Sequence, residues 1–181
     1  MNFSETELAG VFIIDVDYRT DSRGGFARTF CREEFIAAGV PASIVQGATS
    51  FNAKAGTLRG LHFQEPPHSQ SKLVRVTSGA MYDVIVDLRP DSATYRRHLA
   101  VELSAQNRRM LFIPKQFAHG FLTLSDATEI EYLFDEVYAP GAEGGINYAD
   151  PELGIRWPRR IEVIADRDRS LPQLRDLAAL R

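Results

Sequence analysis

Turn signals punctuate most of this chain every ~8–12 residues, and short alternating or β-branched segments fill the intervals, a spacing that favours an all-β sandwich or barrel. The segments cover residues 11–16, 26–30, 59–63, 72–78, 82–88, 98–103, 110–113, 120–124 and 129–134. Residues 21–25, 66–70, 78–79 and 89–92 read as turns or loops between them, rich in Gly, Pro, Ser and Asp. One helix stands out over residues 33–39, stopped by Gly39 and followed by Pro41. Residues 171–181 read as a short helix or a partly ordered tail. There is no βαβ alternation, repeat, low-complexity tract or linker, so the expectation is one domain spanning all 181 residues.

Bulk properties exclude several classes. Net charge is −3, so no global basic field exists to attract nucleic acid. The single cysteine, Cys31, excludes an intrachain disulfide framework and a cysteine-based zinc site. No apolar run approaches the roughly 20 residues of a membrane span. Residues 1–5 show neither the basic leader nor the apolar core of a signal peptide, and the expected location is cytoplasmic.

The chemistry concentrates in Gly56-Thr57-Leu58-Arg59-Gly60-Leu61-His62-Phe63-Gln64, which sets a cation and an imidazole three residues apart. Ten residues past His62 comes Lys72. Strand parity sorts these groups. Lys72 shares a face with Val74 and Val76, where an unpaired cation is costly; the alternative is a strand-end lysine that snorkels to water. Tyr132 shares a face with Ile130 and Phe134, so its phenol points inward, as core tyrosines with a satisfied hydroxyl also do. His119 lies between Phe117 and Phe121 at the same parity, equally the place for a satisfied core histidine. Arg59 and His62 have opposite parity, so one pocket can hold both only if the strand bulges or ends near Gly60.

A small β fold with His62 invites a metal-binding reading. The four histidines, His62, His68, His98 and His119, form no ligand pair at i, i+2 or i, i+4, which argues against a metal site. No nucleophile elbow, phosphate loop or dinucleotide fingerprint is present.

Several separate motifs, in order, resemble the dTDP-4-dehydrorhamnose 3,5-epimerase family. They are Asp21-Ser22-Arg23-Gly24-Gly25-Phe26, Leu58 to Gln64, Lys72-Leu73-Val74-Arg75-Val76 and Asp83-Val84-Ile85-Val86-Asp87-Leu88-Arg89. Ile113-Pro114, Phe117-Ala118-His119-Gly120-Phe121, Tyr138-Ala139-Pro140 with Glu143, Asp150-Pro151, Gly154-Ile155 and Trp157-Pro158 continue the pattern. The resemblance implies a jelly-roll, cupin-like β-barrel with a few short peripheral helices, a homodimer that exchanges N-terminal strands, and no metal or other cofactor. It implies an epimerase acting at C3 and/or C5 of a nucleotide-diphosphate-linked 4-keto-6-deoxyhexose, in deoxysugar biosynthesis. By position, His62 matches the general base, Asp168 its paired carboxylate and Tyr132 the general acid. Arg23, Arg28, Arg59, Lys72, His119, Glu143 and Arg167 fall at positions that contact the nucleotide sugar.

Three departures bear on specificity. Arg28 stands where the family has glutamate, Leu133 where it has lysine, and residues 47–52 differ after Gln46. An acceptor replaced by a cation should change what is bound there, which leaves open a nucleotide other than thymidine diphosphate; inversion of one centre, C3 or C5, is open beside inversion of both. Two other readings share the scaffold: a keto-sugar isomerase that moves the carbonyl, and a non-catalytic cupin that only binds a sugar nucleotide.

Overall fold

The computed structural model describes residues 1–177. In order come β1 (Asn2–Glu5), β2 (Phe12–Asp15), β3 (Arg19–Asp21), β4 (Gly24–Phe26), α1 (Arg32–Ala37), β5 (Gln46–Asn52), β6 (Thr57–Gln64) and β7 (Lys72–Ser78). Then follow β8 (Ala80–Asp87), β9 (His98–Ser104), β10 (Met110–Ile113), β11 (Phe117–Thr123), β12 (Thr128–Phe134), β13 (Glu143–Gly145), β14 (Val163–Ile164), α2 (Asp166–Arg169) and a 3-10 turn at Leu174–Asp176.

The strands form a cupin-like jelly roll of two facing sheets that do not join into one closed barrel. One sheet runs β1-β2-β10-β7-β12-β5 and the other β13-β6-β11-β8-β9, with β14 added beside β6. Between them, Val74 and Val76 of β7, Leu111 and Ile113 of β10 and Ile130 of β12 meet Ile85 of β8, Leu103 of β9 and Phe121 of β11. The outer faces are covered as well. The segment carrying Ile146, Leu153, Trp157 and Leu174 packs on Leu61, Val84 and Val86. On the other side α1 lays Phe35 against Ile14, Leu73 and Met110. Strands buried on both faces need no polar alternation, and this explains the continuous Val84-Ile85-Val86 run.

Several expected strands lie within a residue or two of the observed ones, and residues 72–78 and 110–113 coincide with β7 and β10. Residues 26–30 do not form a strand: the hairpin β3–β4 ends at Phe26. The alternation there misleads because its aromatics serve different places. Phe30 packs on Phe35 with ring centroids 5.0 Å apart, whereas Phe26 is 73% exposed. Of residues 171–181, expected as a short helix or a partly ordered tail, Leu174–Asp176 form a 3-10 turn, and residues 178–181 lie outside the described part. Among the described residues no helix is long and apolar enough to cross a membrane.

Candidate active site

β6 is irregular at Gly60. Its register against β11 pairs His62 with His119 and Arg59 with Phe121, so three steps on one strand match two on the other. This bulge brings Arg59 and His62 to one face, which a regular strand would have prevented. Gly60 has φ +113°, and a Cβ there would sit 2.6 Å from Gly120 Cα and 2.7 Å from the His119 carbonyl oxygen. Only glycine meets both demands.

The partner of His62 arrives from the far end of the chain. β14 runs parallel to β6 and leads into α2. A four-residue helix without a side-chain N-cap has little stability of its own. Its last turn is held by Asn147, whose amide donates to the Arg169 carbonyl at 3.1 Å, and by Ser170 Oγ, which donates to the Asp166 carbonyl at 2.9 Å. So braced, α2 aims Asp168 at β6. Oδ2 accepts the Gly60 N–H at 3.0 Å and Oδ1 lies 2.7 Å from His62 Nε2. A carboxylate there assigns the hydrogen to Nε2 and leaves the lone pair on Nδ1. Burial pushes the His62 imidazole below its ordinary range; Asp168 opposes that shift, while Lys72 and Arg167 add to it. The ring is therefore a neutral base at neutral pH.

The opposite wall comes from the other sheet. Lys72 of β7 points inward with Val74 and Val76 and is half-buried, and burial lowers its pKa to about 8, with Asp83 pulling it back up. Tyr132 of β12 is inward too. Burial raises its phenol well above the ordinary tyrosine value, Asp83 adds to the rise and Arg59 opposes it. Phe134 lies parallel to the Tyr132 ring at 5.8 Å and the His119 ring meets it edge-on at 6.1 Å.

His62, Asp168, Arg59, Lys72, His119, Tyr132 and Arg167 line one cavity of about 480 Å³ together with Ala48, Thr49, Ser50, Phe121, Phe134 and Ala165. Small-molecule sites run to ~300–1,000 Å³, so a sugar ring fits between the sheets. His62 reaches the cavity from one sheet and Tyr132 from the other. At the rim Glu143 stands 3.9 Å from Arg167 and accepts the Tyr138 hydroxyl.

Three expected residues do not line this cavity: Glu143, which stands beside Arg167, and the two arginines Arg23 and Arg28. Arg23, at the exposed tip of the β3–β4 hairpin, is bound to Asp21 at 2.6 Å. Arg28 lies 2.6 Å from Glu34 and lines a different cavity with Met1, Asp17, Arg19 and Phe26. The reason is topological: in this chain β3 and β4 pair only with each other. Conversely, two polar residues at the site escaped the sequence reading. Asn52, 2% exposed, accepts from Arg59 Nε at 2.8 Å and so aims the rest of the guanidinium. Asp83, wholly buried, lies 2.6 Å from His119 Nε2 through its Oδ1. The sequence signal was available for Asp83, a carboxylate at inward parity in an apolar strand. His119 turns out to be both things the sequence allowed, a satisfied buried histidine and a cavity wall.

A carboxylate-backed imidazole facing a half-buried phenol across a ring-sized gap is the equipment of an acid–base isomerase. Comparison with known proteins makes the class specific. The family model described as dTDP-4-dehydrorhamnose 3,5-epimerase matches residues 5–176. The enzyme of that name from Methanothermobacter thermautotrophicus is 44% identical over 96% of this chain and 95% of its own. The one from Escherichia coli K12 is 41% identical, covering 100% and 98%. Among solved structures, the Bacillus anthracis dTDP-4-dehydrorhamnose 3,5-epimerase with TDP and PPi bound superposes with a TM-score of 0.93 at 42% identity, covering 96% of this chain and 99% of that one. A Legionella pneumophila dTDP-6-deoxy-D-glucose-3,5-epimerase in complex with dTDP-4-keto-L-rhamnose gives 0.91 at 35% identity, covering 98% and 95%. A 3'-monoepimerase from Streptomyces bikiniensis in complex with dTDP-quinovose gives 0.87 at 32%, covering 94% and 86%. This chain belongs to the dTDP-4-dehydrorhamnose 3,5-epimerase family.

Proposed function

We propose that this protein inverts C3 and C5 of a dTDP-linked 4-keto-6-deoxyhexose, with His62 as base and Tyr132 as acid. The observation that carries the reading is that these two side chains belong to opposite sheets yet line one cavity.

Both centres flank the C4 ketone, so loss of either hydrogen as a proton moves the electron pair onto O4. Neutral His62 Nδ1 takes that proton, and Asp168 stabilises the imidazolium that results. Lys72 as an ammonium stabilises charge on the enolate oxygen. Tyr132 returns a proton to the same carbon from the other side of the ring, which inverts it. The tyrosinate then recovers its proton and His62 gives one up through solvent, so nothing is oxidised or reduced. Arg59 and Arg167 supply fork-shaped donors for the diphosphate.

The relatives named for dTDP sugars favour thymidine diphosphate over the expectation raised by Arg28. A physical reason agrees: Glu34 stands 2.6 Å from the Arg28 guanidinium and offsets part of its charge. Arg23 and Arg28 contribute instead to the cavity of a second copy, through an exchange of N-terminal strands in a homodimer.

The test is incubation with dTDP-4-keto-6-deoxyglucose in D2O. The expected product carries deuterium at C3 and C5 with both centres inverted. Binding without deuterium uptake, or a carbonyl moved to another carbon, contradicts the reading. Competition among dTDP, UDP, CDP and GDP is expected to favour dTDP.

A further inference from the structure

Asp83 lies at the centre of the interior with 0% exposure. Its Oδ1 is engaged by His119 Nε2, but its Oδ2 has no hydrogen-bond partner among the described residues. A buried carboxylate oxygen without a donor is costly and demands an explanation. Asp87, on the same face of β8, provides the contrast. Arg89, Ser92 and Thr94 occupy both its oxygens, which makes it a structural corner. Asp83 shares the inward parity of Ile85 on one sheet, and Lys72 and Tyr132 face the same interior from the other.

The charged and titratable groups around Lys72 single out Asp83. Arg59 and His62 come from β6, His119 from β11, Tyr132 from β12, and Arg167 and Asp168 from α2. Two of these are permanent cations. Asp168 is committed to His62 and Gly60. Asp135, just past β12, is committed to Lys115 at 3.4 Å and the Ser71 N–H at 2.7 Å. Asp83, bonded behind the His119 wall of that cavity, is among the described residues the nearby carboxylate with an oxygen to spare.

We propose that Asp83 is a positioning residue for the epimerisation: one oxygen fixes the His119 ring, and the other is the counter-charge that keeps Lys72 an ammonium beneath the developing enolate. The proposal rests on the epimerase reading above. Without Asp83, the half-buried Lys72 shares its cavity with Arg59 and Arg167 and has no opposing free carboxylate among the described residues, and its neutral amine is a poor partner for an enolate.

Asp83→Asn tests it, since asparagine keeps an acceptor for His119 and removes the charge. The alkaline limb of the kcat/KM profile is expected to move down by about one pH unit, a loss of about tenfold on that limb, with little change near pH 6.5. NMR titration of the Lys72 13Cε signal in the unliganded variant is expected to show the same drop. An unchanged Lys72 titration in folded Asp83→Asn overturns the proposal, because a merely structural role leaves that signal in place. Should the single variant fail to fold, Lys72→Met and the double variant Lys72→Met/Asp83→Asn decide. The double is expected to melt higher than Lys72→Met alone, which leaves a buried carboxylate without its cation; a double that melts no higher overturns the pairing. Wild type that neither turns over nor takes up deuterium counts against the epimerase reading, whereas the Lys72 titration judges Asp83 independently.

Discussion

Burial and Asp168 pull the proton affinity of His62, the proposed base, in opposite directions, and burial wins. Its folded pKa lies below the ordinary imidazole value of about 6.5, so the active neutral form persists on mild acidification. Lys72 sets the other edge, losing its proton near pH 8. A pH profile of kcat/KM is therefore expected to be bell-shaped, with an acid limb below about 6.5 and an alkaline limb near 8; a rate still rising above pH 9 contradicts the Lys72 assignment. The same shifts govern stability. A base whose folded pKa is depressed binds fewer protons folded than unfolded, so Lys72 weakens the fold below pH 8 and that cost is relieved as pH rises toward 10.5. Gly60 is the most constrained backbone position of the site, since an added Cβ would meet the Gly120 Cα and the His119 carbonyl oxygen. Gly60→Ala is expected to cost about 2 kcal/mol or more in urea unfolding and to remove activity, by forcing Arg59 and His62 out of their shared face.

At the scale of elements, the loop from β8 to β9 is tied by Asp87, which accepts from Arg89 Nη2 at 2.7 Å, Ser92 Oγ at 2.6 Å and Thr94 Oγ1 at 2.7 Å. Burial pushes this carboxyl up, but the hydrogen bonds outweigh it and hold the pKa below the usual aspartate range. Such a group contributes stability that is present above the unfolded value and lost as pH falls through the folded one. Asp87→Asn is expected to cost about 3 kcal/mol at pH 7, read by chemical denaturation, with a smaller penalty near pH 3. Equal penalties at both pH values contradict the charged network. Elements differ sharply in how far the sequence announces them. β7 and β10 were legible because alternation and β-branching mark them, and the need for a bulge at Gly60 followed from the parity of Arg59 and His62. β5 was not legible: Gln46 to Asn52 is mostly small and polar because much of that edge strand faces outward. α2 was hidden for another reason. Its stability comes from Asn147, some twenty residues upstream, and from the Asp168 contacts to β6, which no local pattern carries. Asp168 was reachable only through resemblance to a family. Asp83 was readable from parity but was masked by the apolar run around it.

For the whole molecule, the β3–β4 hairpin is exposed, with Phe26 at its end, while Arg23 and Arg28 stay away from the cavity of their own chain. A homodimer that exchanges this segment accounts for all three facts. Light scattering is expected to give twice the chain mass of 20.2 kDa, and Phe26→Asp is expected to yield monomers with much weakened turnover; an active monomer rules the exchange out. The division of labour between the sheets is the central claim, with base and acid on opposite sides of one bound ring. It is tested most directly by following deuterium uptake and product configuration separately in His62→Ala and Tyr132→Phe. His62→Ala is expected to lose both uptake and inversion by ~10²–10⁴-fold. Tyr132→Phe is expected to keep exchange from the His62 side while inversion collapses. Unchanged uptake in His62→Ala, or full inversion in Tyr132→Phe, would contradict the assignment.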